Sequence, residues 1–130
     1  VLLSFSLANL NVPTLPDIDE LNCLAANVYY EARGEPFEGQ VAIAKVTLNR
    51  VADKRFPKTI CEVVFQPNQF SWTTKYKQIV YTQQSLEASY IALNSTVQFD
   101  SLYYHAEYVA PKWKLQYVAK VGKHIFYKDV

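Results

Sequence analysis

One carboxyl among the twelve acidic side chains of this 130-residue sequence is placed to carry a proton rather than a charge. Leu21, Leu24, Ala25, Val28 and Ala32 recur at helical spacing and mark one apolar stripe. On that wheel Glu31 falls about 20° from Leu24 and about 80° from the middle of the stripe. It therefore sits at the edge of the buried face, roughly one turn before Gly34 and Pro36 stop the helix. A carboxyl half-withdrawn from water has its charged form destabilised, so its pKa should rise above the ordinary ~4.3. An acid that keeps its proton near neutral pH suits cleavage of a glycosidic bond, where the leaving oxygen must be protonated. The competing reading of Glu31 is a structural ion pair with Arg33 or Lys45.

Other acids have weaker claims. Glu35 is the rival proton carrier, but it lies past Gly34, where its direction is less constrained, and a solvated carboxylate or a partner for Arg33 explains it better. Glu62 closes a Thr59-Ile-Cys-Glu62 capping box. Glu38, Asp100 and Glu107 carry no pattern. A catalytic zinc wants about three protein ligands. His105 and His124 are the only histidines, with no His-Glu-x-x-His motif and no close cysteine pair. Neither a metal nor a cofactor is expected.

The elements that must position Glu31 are mostly helical. Asp17-Ile-Asp-Glu20 opens the first helix with a carboxylate cap and an acidic first turn. A second helix is predicted from about residue 37 to 52 and is apolar nearly all round, as a buried central helix should be. Phe56-Pro57 breaks it off, and Thr59 opens a short helix through Phe65. Gln66-Pro-Asn-Gln-Phe-Ser-Trp72 reads as a turn or short strand. A third long helix is expected over residues 82–95, with Leu86, Tyr90 and Leu93 inward. Ser101–His105 and His124–Tyr127 are predicted short strands, joined through Pro111, Trp113 and Gly122. The sum is an α+β arrangement, mostly helical, with a small antiparallel β element near the C-terminus.

Composition narrows the partners. Half the residues are hydrophobic and 19% are charged, so a core can form and general disorder is excluded. A net charge of +1 gives no electrostatic case for nucleic acid or an anionic membrane. No apolar run is long enough to span a bilayer, so stable membrane insertion is not expected. Three glycines are too few for a phosphate loop. Pro13 and Pro16 make the end of the 1–16 segment an extended lead-in. That segment either packs on the domain or is the remnant of a signal or anchor sequence, with Ser6-Leu-Ala8 like a cleavage site. Cys23 and Cys61 are either two buried thiols or a disulfide worth roughly 4 kcal/mol on a chain-entropy model.

Longer motifs then take over. Leu24-Ala-Ala-Asn-Val-Tyr-Tyr-Glu-Ala-Arg-Gly-Glu35 is followed by Gly39-Gln-Val-Ala-Ile-Ala-Lys-Val-Thr-Leu-Asn-Arg-Val51. Together with Arg55-Phe-Pro57, Ile60-Cys61, Gln69-Phe-Ser71, Tyr104-His105 and Gly122-Lys-His-Ile-Phe-Tyr127, this resembles the SleB-like, spore-cortex-lytic family of cell-wall hydrolases, in order and spacing, from about residue 19 onward. The resemblance implies a single lysozyme-related catalytic domain over residues 17–130. It implies lytic transglycosylase activity on peptidoglycan glycan strands, with Glu31 as the catalytic glutamate. A transglycosylase can work with one carboxyl, because the 6-hydroxyl of muramic acid attacks its own anomeric carbon. Gln69, Phe70, Ser71, Tyr104 and His105 become the substrate-groove candidates, through amide and hydroxyl hydrogen bonds and ring stacking. Phe70 and Tyr104 have a core alternative, and His105 that of an ordinary hydrogen-bonded strand histidine. Asn49 and Arg50 are read as structural, fixing the loop after Gly34. The implied setting is extracytoplasmic and monomeric, in which Cys23 and Cys61 should be bonded. Two departures stand out: Ala106 where the family commonly has Asn, and Tyr30 where it frequently has Gly.

Three alternatives remain beside the transglycosylase. They are muramidase-type hydrolysis of the same bond, an amidase acting on the stem peptide, and a wall-binding module without activity.

Overall fold

The computed structural model describes residues 17–76 and 78–130; the expectations for residues 1–16 lie outside them. The first helix, α1, covers Ile18–Glu31 and is capped by Asp17, whose carboxylate accepts from the backbone N–H groups of Asp19 and Glu20 at 2.9 and 3.3 Å. The helix ends on Glu31 itself rather than a turn later. Ala32 closes on the Val28 carbonyl, and Gly34, at φ +76°, turns the chain away. Six consecutive residues, Cys23 to Val28, are buried, because α1 is covered from several sides.

The central helix α2, Phe37–Ala52, is buried almost all round, as its composition predicted. Two polar residues tie the helices together in this interior. Asn27 is fully buried, donates to the Thr47 hydroxyl at 3.3 Å, and accepts from the Trp72 indole N–H at 2.8 Å. A buried amide left without such partners would cost about 1–3 kcal/mol, so these bonds fix one packing.

The short helix α3, Ile60–Val64, begins at Thr59, but only half of the expected capping box forms. Thr59 accepts from Glu62 N, whereas the Glu62 carboxylate takes the Thr59 hydroxyl proton at 2.7 Å. Glu20 from α1 caps the next two backbone groups, taking the N–H groups of Ile60 and Cys61 at 2.6 and 3.3 Å. Beside it Cys23 and Cys61 are disulfide-bonded, with Cα atoms 5.3 Å apart, as the resemblance implied. The sequence's turn at 66–69 is present, with Asn68 at φ 65°, but a helical turn follows rather than a strand: α4, Trp72–Lys75. The cause is Trp72, which is drawn into the core by Asn27.

The last helix, α5, covers Gln83–Asn94 and starts with a reciprocal Thr82–Ser85 capping box. Its inward face differs from expectation. Ser85, Ala88, Ser89, Ile91 and Ala92 are buried, while Leu86, Tyr90 and Leu93 are only partly covered. The helix packs on both α1 and α2, and small residues let the backbones approach. Three antiparallel strands complete the fold, β1 (Tyr103–Ala106), β2 (Gln116–Val121) and β3 (His124–Lys128), in spatial order β1-β3-β2. Sequence reading had no β2. A bulge between Tyr117 and Ala119 breaks its alternation, and its buried side chains are only Ala119 and Val121. On the inner face Phe126 is fully buried against Phe99, and Gly122, at φ +59°, makes the tight β2–β3 turn.

Candidate active site

Glu31 ends α1 facing the inner side of the sheet. The Tyr104 hydroxyl, 2.6 Å away, donates to its Oε1. Neither ion pair foreseen for it, with Arg33 or Lys45, forms: Arg33 donates to the Tyr29 hydroxyl at 2.6 Å and lies over that ring, while Lys45 reaches the Ser95 carbonyl. Burial pushes the Glu31 carboxyl above its ordinary pKa; the Tyr104 hydrogen bond, then the charges of His124 and Arg50, oppose this without cancelling it. Tyr104 has its own pKa raised well above the usual value, by burial and then by the Glu31 charge, so it remains a donor. The result is a carboxyl that gives up its proton less readily than an exposed glutamate, in a setting still able to stabilise its conjugate base.

Glu35 is neither solvated nor paired with Arg33. Its side chain is 4% exposed, and Oε1 accepts from Lys123 N at 2.7 Å and contacts His124 Nδ1 at 2.8 Å. This carboxylate closes the loop after α1 onto the β2–β3 turn. A Cβ on Gly122 would stand 2.7 Å from the same Oε1, so the turn needs glycine for space as well as for φ. His124 packs edge-on against Tyr104, ring centroids 5.4 Å apart. Glu35, His124, Tyr104 and Glu31 thus form one contiguous chain of groups. Sequence reading used His124 only as a strand residue and a poor zinc ligand; the signal was its place beside Gly122.

The other groove candidates separate. Tyr104 and His105 are neighbours on a strand and face opposite sides. His105 lies on the outer face, its ring nitrogens against the Ala106 carbonyl at 2.7 Å and the Tyr127 hydroxyl at 2.8 Å, packed by Trp113 and Tyr127. It is the hydrogen-bonded strand histidine, with both nitrogens occupied, and does not join Glu31. Phe70 is 4% exposed and belongs to the core, so the ring stacking expected of it has no free face. Gln69 and Ser71 are exposed; Gln69 Oε1 accepts from Arg50 at 3.3 Å. Asn49 and Arg50 are structural as expected, but at a different place. They hold the chain entering β1, Asn49 through the carbonyls of Phe99 and Ser101 and Arg50 through that of Leu102, rather than the loop after Gly34.

Tyr30, the departure beside Glu31, stacks between Trp72 and Tyr76 with centroids 4.4 and 5.2 Å away. Its hydroxyl donates to the Gln78 carbonyl at 3.2 Å. It thereby ties the segment after α4 to α1. A cavity of about 250 Å³ opens between α1 and the start of α5, lined by Tyr29, Arg33, Gln40, Thr82 and Gln84; Glu31 is not part of it. Among the described residues no group of three or more His, Cys, Asp or Glu side chains could hold a metal ion, and no helix is long and apolar enough to cross a membrane.

The site is thus one carboxyl, its pKa raised by burial, between the end of a helix and the inner face of a small sheet in an α+β domain. Residues 34–127 match the cell wall hydrolase family, and the chain belongs to that family. The matched range includes Tyr104 and His124 and begins three residues after Glu31. The spore cortex-lytic enzyme of Bacillus cereus is 35% identical over 125 residues, covering 91% of this chain and 48% of that protein. That of Bacillus subtilis is 36% identical over 123 residues, covering 89% and 40%. The chain therefore spans about half the length, or less, of these relatives. Among solved structures, the catalytic domain of the germination-specific lytic transglycosylase SleB from Bacillus anthracis superposes with a TM-score of 0.78 at 35% identity, covering 90% of this chain and all of that one. The catalytic domain of Bacillus cereus SleB gives 0.77, also at 35% identity, covering 90% and 95%.

Proposed function

We propose that this chain cleaves the β-1,4 bond between N-acetylmuramic acid and N-acetylglucosamine in peptidoglycan, as a lytic transglycosylase with Glu31 as its one acid and base. The observation that carries the reading is the raised pKa of a half-buried Glu31 held by Tyr104. Glu31 gives its proton to the leaving O4 of the glucosamine as the C1–O4 bond breaks. Its carboxylate then takes the proton of the muramic 6-hydroxyl as O6 bonds to C1. Proton and water balances both close: Glu31 ends protonated and no water is consumed. Tyr104, whose hydroxyl donates to Glu31, steadies the intermediate carboxylate. The likeness to a lytic transglycosylase catalytic domain over nine-tenths of the chain supports the same chemistry.

Muramidase-type hydrolysis would need a second placed carboxylate or a held water. The nearest alternative, Glu35, is committed to Lys123 and His124. The implied setting is extracytoplasmic, with peptidoglycan glycan strands as partner and the protein acting as a monomer. Gln69 and Ser71 are the exposed groups left from the groove set for sugar contact.

Mass spectrometry of digested, purified glycan tests this directly. The expected products end in 1,6-anhydromuramic acid, appear equally in EDTA, and vanish with Glu31→Gln. Reducing muramic ends would instead establish hydrolysis. Free stem peptides lost to a chelator would establish an amidase, and binding without products a wall-binding module.

A further inference from the structure

Glu35 and His124 form a buried pair that the proton cycle of Glu31 does not use. The side chains are 4% and 13% exposed. Glu35 Oε1 already accepts the backbone N–H of Lys123 at 2.7 Å, which fixes that oxygen as an acceptor. The 2.8 Å contact to His124 Nδ1 must then be a hydrogen bond donated by the ring. In neutral His124 the proton is therefore on Nδ1, and Nε2 carries a lone pair. Nothing in the described structure binds that nitrogen, and the side chain that carries it keeps 13% of its surface exposed. A polar atom shaped by so much buried structure, yet left unpartnered at a site's edge, is what a substrate contact looks like before substrate arrives.

The surroundings give the direction. His124 lies on the inner face of β3, edge-on to Tyr104, whose hydroxyl holds Glu31. The charged or titratable groups that bear on Glu31 are Tyr104 from β1, His124 from β3 and Arg50 from α2; Glu35, past the end of α1, bears on His124. Arg50 is turned to the Leu102 carbonyl and Gln69, and Tyr104 is spent on Glu31. His124 among these presents a ring nitrogen that no described residue engages. The sugar around the scissile bond offers donors, its hydroxyls and acetamido N–H groups, and Glu31 can receive only one of them at a time.

We propose that His124, locked in its Nδ1–H form by Glu35, accepts a hydrogen bond through Nε2 from a hydroxyl or acetamido N–H of the sugar beside the bond that Glu31 protonates. This rests on the role proposed for Glu31. His124 is a positioning residue: it holds the ring so that the carbon and oxygen that react meet Glu31 in register. Glu35 acts one step further back, through the tautomer.

Two substitutions separate this from a purely structural pair. His124→Asn keeps an N–H near the place of Nδ1, and so the bond to Glu35, but deletes Nε2. His124→Gln reaches the place of Nε2 with an amide oxygen but gives up the bond to Glu35. A substrate contact makes His124→Asn the worse catalyst: kcat on purified glycan falls about tenfold to a hundredfold, as for a donor left unsatisfied, with KM changed less and melting temperature retained. His124→Gln then recovers part of kcat despite a lower melting temperature. A structural pair gives the opposite order, with His124→Asn within about twofold of the parent, and that result overturns the proposal.

Folding of the variants is not the only recourse. The Glu31→Gln protein, incubated with intact glycan strands, can be followed by the ¹⁵N shifts of its two histidines. Nε2 of His124 should move on binding while both nitrogens of His105, already occupied, stay in place. A His124 resonance unmoved at saturating glycan also overturns the proposal. Should Glu31→Gln retain activity, the reading of Glu31 fails; an inactive Glu31→Gln beside a fully active His124→Asn defeats the positioning role alone.

Discussion

The Tyr104 hydroxyl and Glu31 Oε1, 2.6 Å apart, join the last residue of a helix to a strand 73 positions away. Two opposed effects meet at that bond. Burial favours the neutral acid, and the phenol favours the carboxylate, since an O–H donor strengthens toward a negative oxygen. Burial is the larger, so the Glu31 carboxyl keeps its proton to a higher pH than an exposed glutamate does, while Tyr104 stays in place to stabilise the base form.

Tyr104→Phe removes the smaller effect and leaves the larger. The Glu31 pKa should climb further, so the alkaline limb of the pH–rate profile, where the proton is lost, should move to higher pH. The maximum rate should fall about tenfold, because the carboxylate needed in the second half of the cycle has lost a partner. Rates on purified glycan from pH 4 to 10 provide the test. An unmoved alkaline limb would show that Glu31 does not set it.

Glu31→Gln should abolish turnover, by about 10²–10⁴-fold or more, and also change how stability responds to pH. A carboxyl whose pKa is raised on folding binds its proton more tightly in the native state, so native stability declines as pH rises from the ordinary value through the raised one. Gln does not titrate. The variant should therefore melt higher than the parent at pH 8, with the gap closing as pH falls toward 4. Calorimetry at several pH values measures this, and a variant that melts lower at pH 8 would contradict the raised pKa.

What could be read from the sequence follows its periodicities. The buried run Val41–Ala44 is apolar on every side, and α2 came out with its limits at Phe37 and Ala52. The place of Glu31 at the edge of the buried face was legible because one helical wheel relates it to Leu24. The pairs that finish the site were not, because they join residues far apart in the chain: Glu35 to His124 across 89 positions, Glu31 to Tyr104 across 73. No local pattern encodes such a pair. The strand β2 was missed for a different reason, a bulge that destroys period two. Phe70 lies in the core and His105 on the outer strand face, positions that motif membership does not report, because burial and strand face are set by the packing of distant elements.

The Cys23–Cys61 bond and the Glu20 carboxylate staple the same two helices, so reduction alone should loosen the protein without unfolding it at room temperature. With the cysteines at a sequence separation of 38, the chain-entropy model gives about 4 kcal/mol. Dithiothreitol should lower the melting temperature by about 10–20 °C. Glu20→Gln should deepen that loss, since Ile60 and Cys61 then rely on a neutral cap.

Gly122→Ala tests the whole chain of contacts from its far end. A methyl group there would lie 2.7 Å from Glu35 Oε1 and 3.1 Å from the Pro36 ring, at φ +59°, where an L-residue is already strained. The strain alone costs on the order of 1–3 kcal/mol. Relief can come only by moving Glu35 or opening the β2–β3 turn, and both free His124. Because β3 carries His124 and pairs with Tyr104 through Phe126, the displacement reaches the partner of Glu31. The expected outcome is a protein that folds with a lower melting temperature and loses more than tenfold in kcat, though no altered atom lies next to Glu31. Gly34→Ala provides the matched control: it has positive φ as well, +76°, but open space where the methyl would go. It should show a similar strain penalty in stability with a smaller loss of rate. Equal losses of rate in the two variants would mean that backbone strain, and not the displaced Glu35–His124 pair, governs catalysis at this end of the site.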